Sequence, residues 1–219
     1  MTSLFARFAK DQSGATAIEY GFIAALVAVV CITTLQLVGA KLNNRLTHLD
    51  RPMLDALTLV AFPGLMAYAA ISDLLTMTIS NWISILLVAG FVVTAAALGV
   101  PVLTIGQHLA CGLAVLVLTF TLFARGWIGG GDAKLAATIA VWMGFEHLAE
   151  FGMGSALLGG ALCAALLQFR RWPMPGWAMA RAWIMRLHAS DNGAPYGMAL
   201  AAAGLLIYPD TRIFLAVLG

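Results

Sequence analysis

The sequence predicts an all-α fold, a polytopic membrane helix bundle, and three observations carry that prediction. Of the 219 residues, 62% are hydrophobic and only 10% are charged, against about 45–50% and about 25% in an ordinary soluble domain. A single aqueous core of this size cannot enclose such an apolar excess, so most of it must face lipid. The apolar residues also gather into long stretches separated by breakers, as helices that cross a bilayer require. The net charge of +2 is small and scattered, which excludes a nucleic-acid-binding face and leaves the cations as topology signals.

Seven stretches satisfy the requirement, at 17–38, 53–71, 82–98, 105–123, 133–145, 153–169 and 196–207. Gly99 to Pro101, Gly129 to Gly131, and Pro173 with Pro175 punctuate them. With the amino terminus in the cytoplasm, strict alternation puts eight of the Lys and Arg residues inside and four outside (Lys41, Arg45, Arg51 and Arg212). The positive-inside rule favours that orientation. The largest inner loop, 170–194, carries Trp172, Trp177 and Trp183 among arginines, and reads either as an amphipathic piece on the inner surface or as a solvated connector. Glu146, His147 and Glu150 read as a solvated outer turn between the fifth and sixth spans, and the glycines at 152, 154, 159 and 160 as sites of close helix packing.

Cys31, Cys111 and Cys163 lie in apolar runs with no CxxC pair and no His at zinc-ligand spacing. They read as small buried hydrophobes, with no metal and no cofactor expected. The four histidines are scattered and read as structural or interfacial.

The first 50 residues form a separate unit. Arg7 and Lys10 precede an apolar run that continues to Val38, longer than the roughly 7–15 residues of a signal peptide's apolar region. Glu19 stands near its start, where a charge is costly unless it has a job, escapes to the interface, or is favoured by the helix dipole. The string Gly14-Ala15-Thr16-Ala17-Ile18-Glu19-Tyr20 closely resembles the processing site of Flp-type class IV prepilins. That resemblance implies cleavage between Gly14 and Ala15, recognition through Lys10, Glu19 and Tyr20, and a substrate role for this segment. Gly14 followed by small Ala15 is also easily drawn into the extended form a protease needs.

Beyond Arg51 two carboxylates stand out. Asp73 follows the second span and Asp132 precedes the fifth, so the two crossings between them return the chain to one face, the face that also carries Gly14. Taken singly, each fits a helix cap or turn residue as well as a functional acid. Gly129-Gly130-Gly131 before Asp132 lets backbone come close to whatever that carboxylate addresses, and Lys134 adds a cation.

Together, Ala70 to Asp73 leading to Ile79-Ser80-Asn81-Trp82, the GxGD string Gly129 to Asp132 with Lys134, and Pro195-Tyr196-Gly197 resemble the small aspartic prepilin peptidases of the Tad/Flp pilus system. This chain departs from the usual pattern in having Ser80 where Pro is common, and Leu74 to Ile79 where basic residues are common. The resemblance implies six peptidase helices after one prepilin helix, with a 1–50 prepilin unit and a 51–219 peptidase unit. Asp73 and Asp132 are then catalytic, and Gly129, Gly130, Gly131, Lys134, Asn81, Pro195, Tyr196 and Gly197 position the motif or the substrate. Longer relatives carry a zinc-binding insert and methylate the new amino terminus; the sequence has no such insert, so proteolysis without N-methylation is expected.

Two carboxylates within hydrogen-bonding range cannot both ionise easily, so one acts as base on water while the other, protonated, polarises the scissile carbonyl. The expected partners are a prepilin, in cis or in trans, the lipid bilayer and pilus assembly machinery, with no nucleic acid. The expected location is the bacterial inner membrane, active site inward. The competing reading is a non-catalytic pilus assembly or scaffold protein whose aspartates are caps. A proton-coupled transporter fits less well, because the acids sit at one edge and no internal repeat is visible.

Overall fold

A computed structural model describes residues 52–171, 173, 181–189 and 193–218. The predicted span at 17–38 and the residues Lys10, Gly14, Ala15, Glu19 and Tyr20 lie outside the described residues, as do Trp172 and Trp177. The described chain is helical throughout, with α1 Pro52–Thr76, α2 Asn81–Ala97, α3 Val102–Ala124, α4 Gly130–Arg170, α5 Ala182–His188, α6 Tyr196–Ile207, a 3₁₀ turn Tyr208–Asp210 and α7 Arg212–Leu218. Helices are the one open-ended structure that satisfies its own backbone in lipid. Stretches within α1, α3 and α4 are long and apolar enough to cross a membrane, and α2 is a shorter apolar helix of 17 residues.

The largest departure from the sequence reading is in α4. The expected solvated turn at 146–150 is helical, and the chain breaks at Gly144 alone, with φ 66° and ψ −179°. An L side chain is strained in that region, whereas glycine is not. A second constraint coincides with the first: a Cβ at position 144 would lie 2.8 Å from His108 Cε1. The His108 Nδ1 is 2.8 Å from the Val141 carbonyl oxygen, which can only accept, so Nδ1 carries the proton. A buried histidine thus braces the last turn before the break.

The 130–143 arm runs parallel to α6, with Ile139 against Gly204. The 145–170 arm runs back, with Gly154 against Ala203 and Gly159 against the ring of Tyr196, while Gly152 and Gly160 face open space. Only two of the four expected packing glycines therefore make close helix contacts. Glu146 pairs with Arg212, and His147 Nδ1 lies 3.0 Å from Glu150, so these acids hold a helix end instead of a turn.

Trp142, Phe62, Phe91, Tyr208 and Phe214 are buried at the centre of the bundle. Ring centroids lie 4.4 Å apart for Phe62 and Tyr208, and 4.9 Å for Phe62 and Trp142. Such pairs contribute about 0.5–1.5 kcal/mol each beyond area burial. The Trp142 indole N–H donates to the Leu87 carbonyl at 2.9 Å, tying α4 to α2. Lipid tails are as apolar as leucine, so fitted contacts of this kind hold the helices together.

Within 170–194, the described helix α5 is docked on the bundle end. Ile184 and Leu187 of α5 bury against Leu166 and Phe169. Arg170 Nε donates to the Leu187 carbonyl at 2.9 Å and its Nη2 to the Gly193 carbonyl at 3.0 Å, while Arg186 donates to the Leu75 carbonyl. The apolar residues of α5 are thus spent on the protein itself, and Gly193 and Ala194 stand at the end of the bundle where α1 stops and α4 starts.

Candidate active site

Four chain segments meet at that end: the last turn of α1, the 77–80 connection, the start of α4 and the start of α6. Their residues line a cleft of about 390 Å³, with Asp73 on one wall and Gly129 to Asp132 on another. Neither aspartate has the local role that sequence allows it singly. Asp73 is inside α1, which continues to Thr76, so it is not a turn residue. Asp132 is not an N-cap; Gly129 holds that position and α4 begins at Gly130. Asp132 is the third helical residue, from which a side chain can reach back over the amino terminus. The Gly129 N–H interacts with its carboxylate, and a Cβ at 129 would lie 2.9 Å from Asp132 Oδ2.

The carboxylates come together at the amino end of α6. The Gly197 backbone lies against the Asp73 carboxylate, and both aspartates line the cleft. Asp73 also feels the charge of Asp132 directly. A helix start presents unpaired N–H groups and a partial positive charge, so it suits a pair of acids better than apolar surroundings alone would. Asp73 is nonetheless 5% exposed, and its Oδ2 is buried with no hydrogen-bond partner among the described residues. A buried carboxylate oxygen left without a donor is costly, and this one lies beside the cleft.

The expected positioning residues divide by location. Gly130 packs on the Phe123 ring and Gly131 on Ile79. Lys134 Nζ donates to Asn81 Oδ1 at 2.9 Å, joining the starts of α4 and α2. Pro195 is the N-cap residue of α6, and the Tyr196 hydroxyl donates to the Ser155 carbonyl at 2.9 Å. Asp73, Gly129, Gly130, Gly131 and Asp132 line the cleft, whereas Asn81, Lys134, Pro195, Tyr196 and Gly197 stand at the starts of α2, α4 and α6 outside its lining.

The connection between α1 and α2 holds what the sequence reading missed. Ser80, standing where proline is common, caps α2 by accepting from the Trp82 N–H at 3.4 Å. Hydroxyl groups tie the loop internally: Ser72 Oγ donates to the Thr78 carbonyl at 3.0 Å and Thr76 Oγ1 to the Ser72 carbonyl at 2.7 Å. Met77 has a φ of 52° at the end of α1, a position glycine usually takes, and it lines the cleft. Ile79 wedges between Gly131 and Gly197. No sequence signal marks Met77 or Ile79, because their importance lies in what folds against them.

Residues 60–164 match the family model described as type IV leader peptidase family, and residues 8–53 match the Flp/Fap pilin component. One chain thus carries a match to a pilin component and, after it, a match to a leader-peptidase family. Asp73, Asn81, Gly129 to Asp132 and Lys134 fall within the peptidase match, Pro195 to Gly197 follow it, and Gly14 to Tyr20 fall within the pilin match. No curated protein and no solved structure matches the chain. The peptidase match supports a leader-peptidase-like function, and three of the described helices are long and apolar enough to cross a membrane.

Proposed function

We propose that the peptidase segment is an aspartic endopeptidase of the GxGD type that cuts after Gly14, at the cytoplasmic edge of the bacterial inner membrane. The observation that carries this reading is that Asp73 and Asp132, two acids far apart in sequence, line one cleft. In this mechanism one carboxylate removes a proton from water as the water oxygen attacks the Gly14 carbonyl carbon. The other, protonated, donates to the carbonyl oxygen and stabilises the charge that forms there. Collapse of the tetrahedral intermediate breaks the C–N bond, and the acid delivers a proton to the departing Ala15 amine.

Either aspartate can start as the base, since a pair holding one proton titrates as a unit. Lys134 and Asn81 tie the start of α4 to the start of α2, and the helix start at Pro195-Tyr196-Gly197 sets Asp73. The attached pilin segment supplies a substrate at high effective concentration. The test is processing in membranes: Asp73→Asn and Asp132→Asn should each retain residues 1–14, while wild type yields a chain beginning at Ala15. A scaffold whose aspartates only cap helices would be processed equally in all three.

A further inference from the structure

A second groove of about 510 Å³, sharing no lining residue with the cleft, runs between α2, α3 and the first arm of α4. Ile85, Val88 and Ala89 form one wall, and Leu116 and Ala137 the others. Ile85, Ala89 and Leu116 are exposed, which lipid alone would explain. Two polar features set this groove apart from a lipid-facing surface. Ser84 Oγ on its wall is buried with no hydrogen-bond partner among the described residues. At its end stands Lys134, whose ammonium bonds the neutral Asn81 and has no acidic partner among the described residues.

We infer that this groove seats residues 15–38 of the same chain, with the Glu19 carboxylate paired to Lys134. The inference rests on the proposed cleavage at Gly14 and extends it to substrate recognition. Lys134 lies two positions after Asp132, within the same helical turn. Glu19 lies four residues after Ala15, a rise of about 6 Å in a helix. A bond held in the cleft therefore places Glu19 about 3 Å deeper than the backbone of Lys134, itself about 3 Å beyond Asp132, a gap the flexible lysine stem spans. A carboxylate on a membrane-embedded segment needs such a partner, and a cation facing only an amide oxygen is complementary to it.

The apolar residues that follow Glu19 match the apolar walls beyond Lys134. Chain length permits the arrangement: residues 39–51 extend to roughly 45 Å, whereas crossing two packed helices takes about 20 Å.

Charge reversal tests the pairing. Lys134→Glu and Glu19→Lys should each slow loss of the first 14 residues at least tenfold, and the two together should return the rate to within about threefold of wild type. A misfolded Lys134→Glu protein is covered by a second measurement that keeps Lys134. With Asp132→Asn to hold the chain uncut and Cys31, Cys111 and Cys163 changed to Ala, Ile23→Cys should form a disulfide with Ala89→Cys under copper phenanthroline. It should not do so with Leu118→Cys.

A link within one chain supports the assignment. A disulfide-linked dimer, or equal linking to both positions, overturns it. If Asp73→Asn is still processed, the protease reading itself fails. If Asp73→Asn is inert but neither the rescue nor the link is seen, only the groove assignment fails.

Discussion

Gly197 lies so close to Asp73 that a methyl group on its Cα would sit 2.8 Å from Asp73 Oδ2, and 2.6 Å from Ile79 Cδ1. The backbone of α6 and the carboxylate are therefore in direct contact, and the acid's position depends on the absence of a side chain at 197. Gly197→Ala should push Asp73 or Ile79 aside, at a cost of about 1–3 kcal/mol as overpacking. Processing of the attached leader should fall with it while membrane insertion is retained. Measuring processed fraction and protease resistance of the bundle on the same membranes separates the two effects.

The aspartates themselves make the strongest demand. A positioned general acid or base typically contributes 10²–10⁴-fold to rate, so Asp73→Asn and Asp132→Asn should each reduce processing by roughly that factor. Because the two act as a unit, the double variant should be no slower than either single one. A time course of leader loss checks both statements.

Tyr196 acts at one remove. Its hydroxyl bonds the Ser155 carbonyl, and its ring fills the space a Cβ at Gly159 would need, 2.2 Å from the ring carbon Cε2. This fixes where α6 starts, and so where the Gly197 N–H points. Gly159→Ala should displace the ring and slow processing more than Tyr196→Phe, which removes one hydrogen bond of about 0.5–1.5 kcal/mol. Comparing the two rates, with thermal unfolding in detergent beside them, distinguishes a shifted helix start from a general loss of stability.

Gly144 and His108 form a structural pair remote from the cleft. Gly144→Ala meets both a positive φ and the His108 ring, so it should destabilise the bundle by more than about 1 kcal/mol. His108→Phe keeps a ring beside Phe91 but leaves the Val141 carbonyl without that donor, a loss of about 1–3 kcal/mol if no other group replaces it. Unfolding midpoints in a common detergent measure both, and leader processing at permissive temperature should change little for His108→Phe.

Much of this architecture is written in short-range patterns. Apolar runs give the helices, and parity of crossings puts Asp73 and Asp132 on one face. What the sequence hides is how segments end and meet. The reversal at Gly144 was misread because Glu146, His147 and Glu150 have the polarity of a loop, although they are helical and partnered by Arg212 and one another. Asp132 looks like an N-cap because Ala133 follows it, but the three glycines before it start the helix early. Met77 and Ile79 are anonymous apolar residues until the start of α6 folds against the 77–80 connection. The acids and their motif are legible one by one, whereas their meeting at one cleft depends on three helices packing at once.

The most direct measurement is the intact mass of the chain recovered from membranes, for wild type beside Asp132→Asn. Wild type should appear as a species beginning at Ala15, with an unmodified amino terminus, and Asp132→Asn as a species that keeps Met1 to Gly14. An Asp132→Asn chain trimmed to Ala15 as completely as wild type, in cells with no other leader peptidase, would contradict the account.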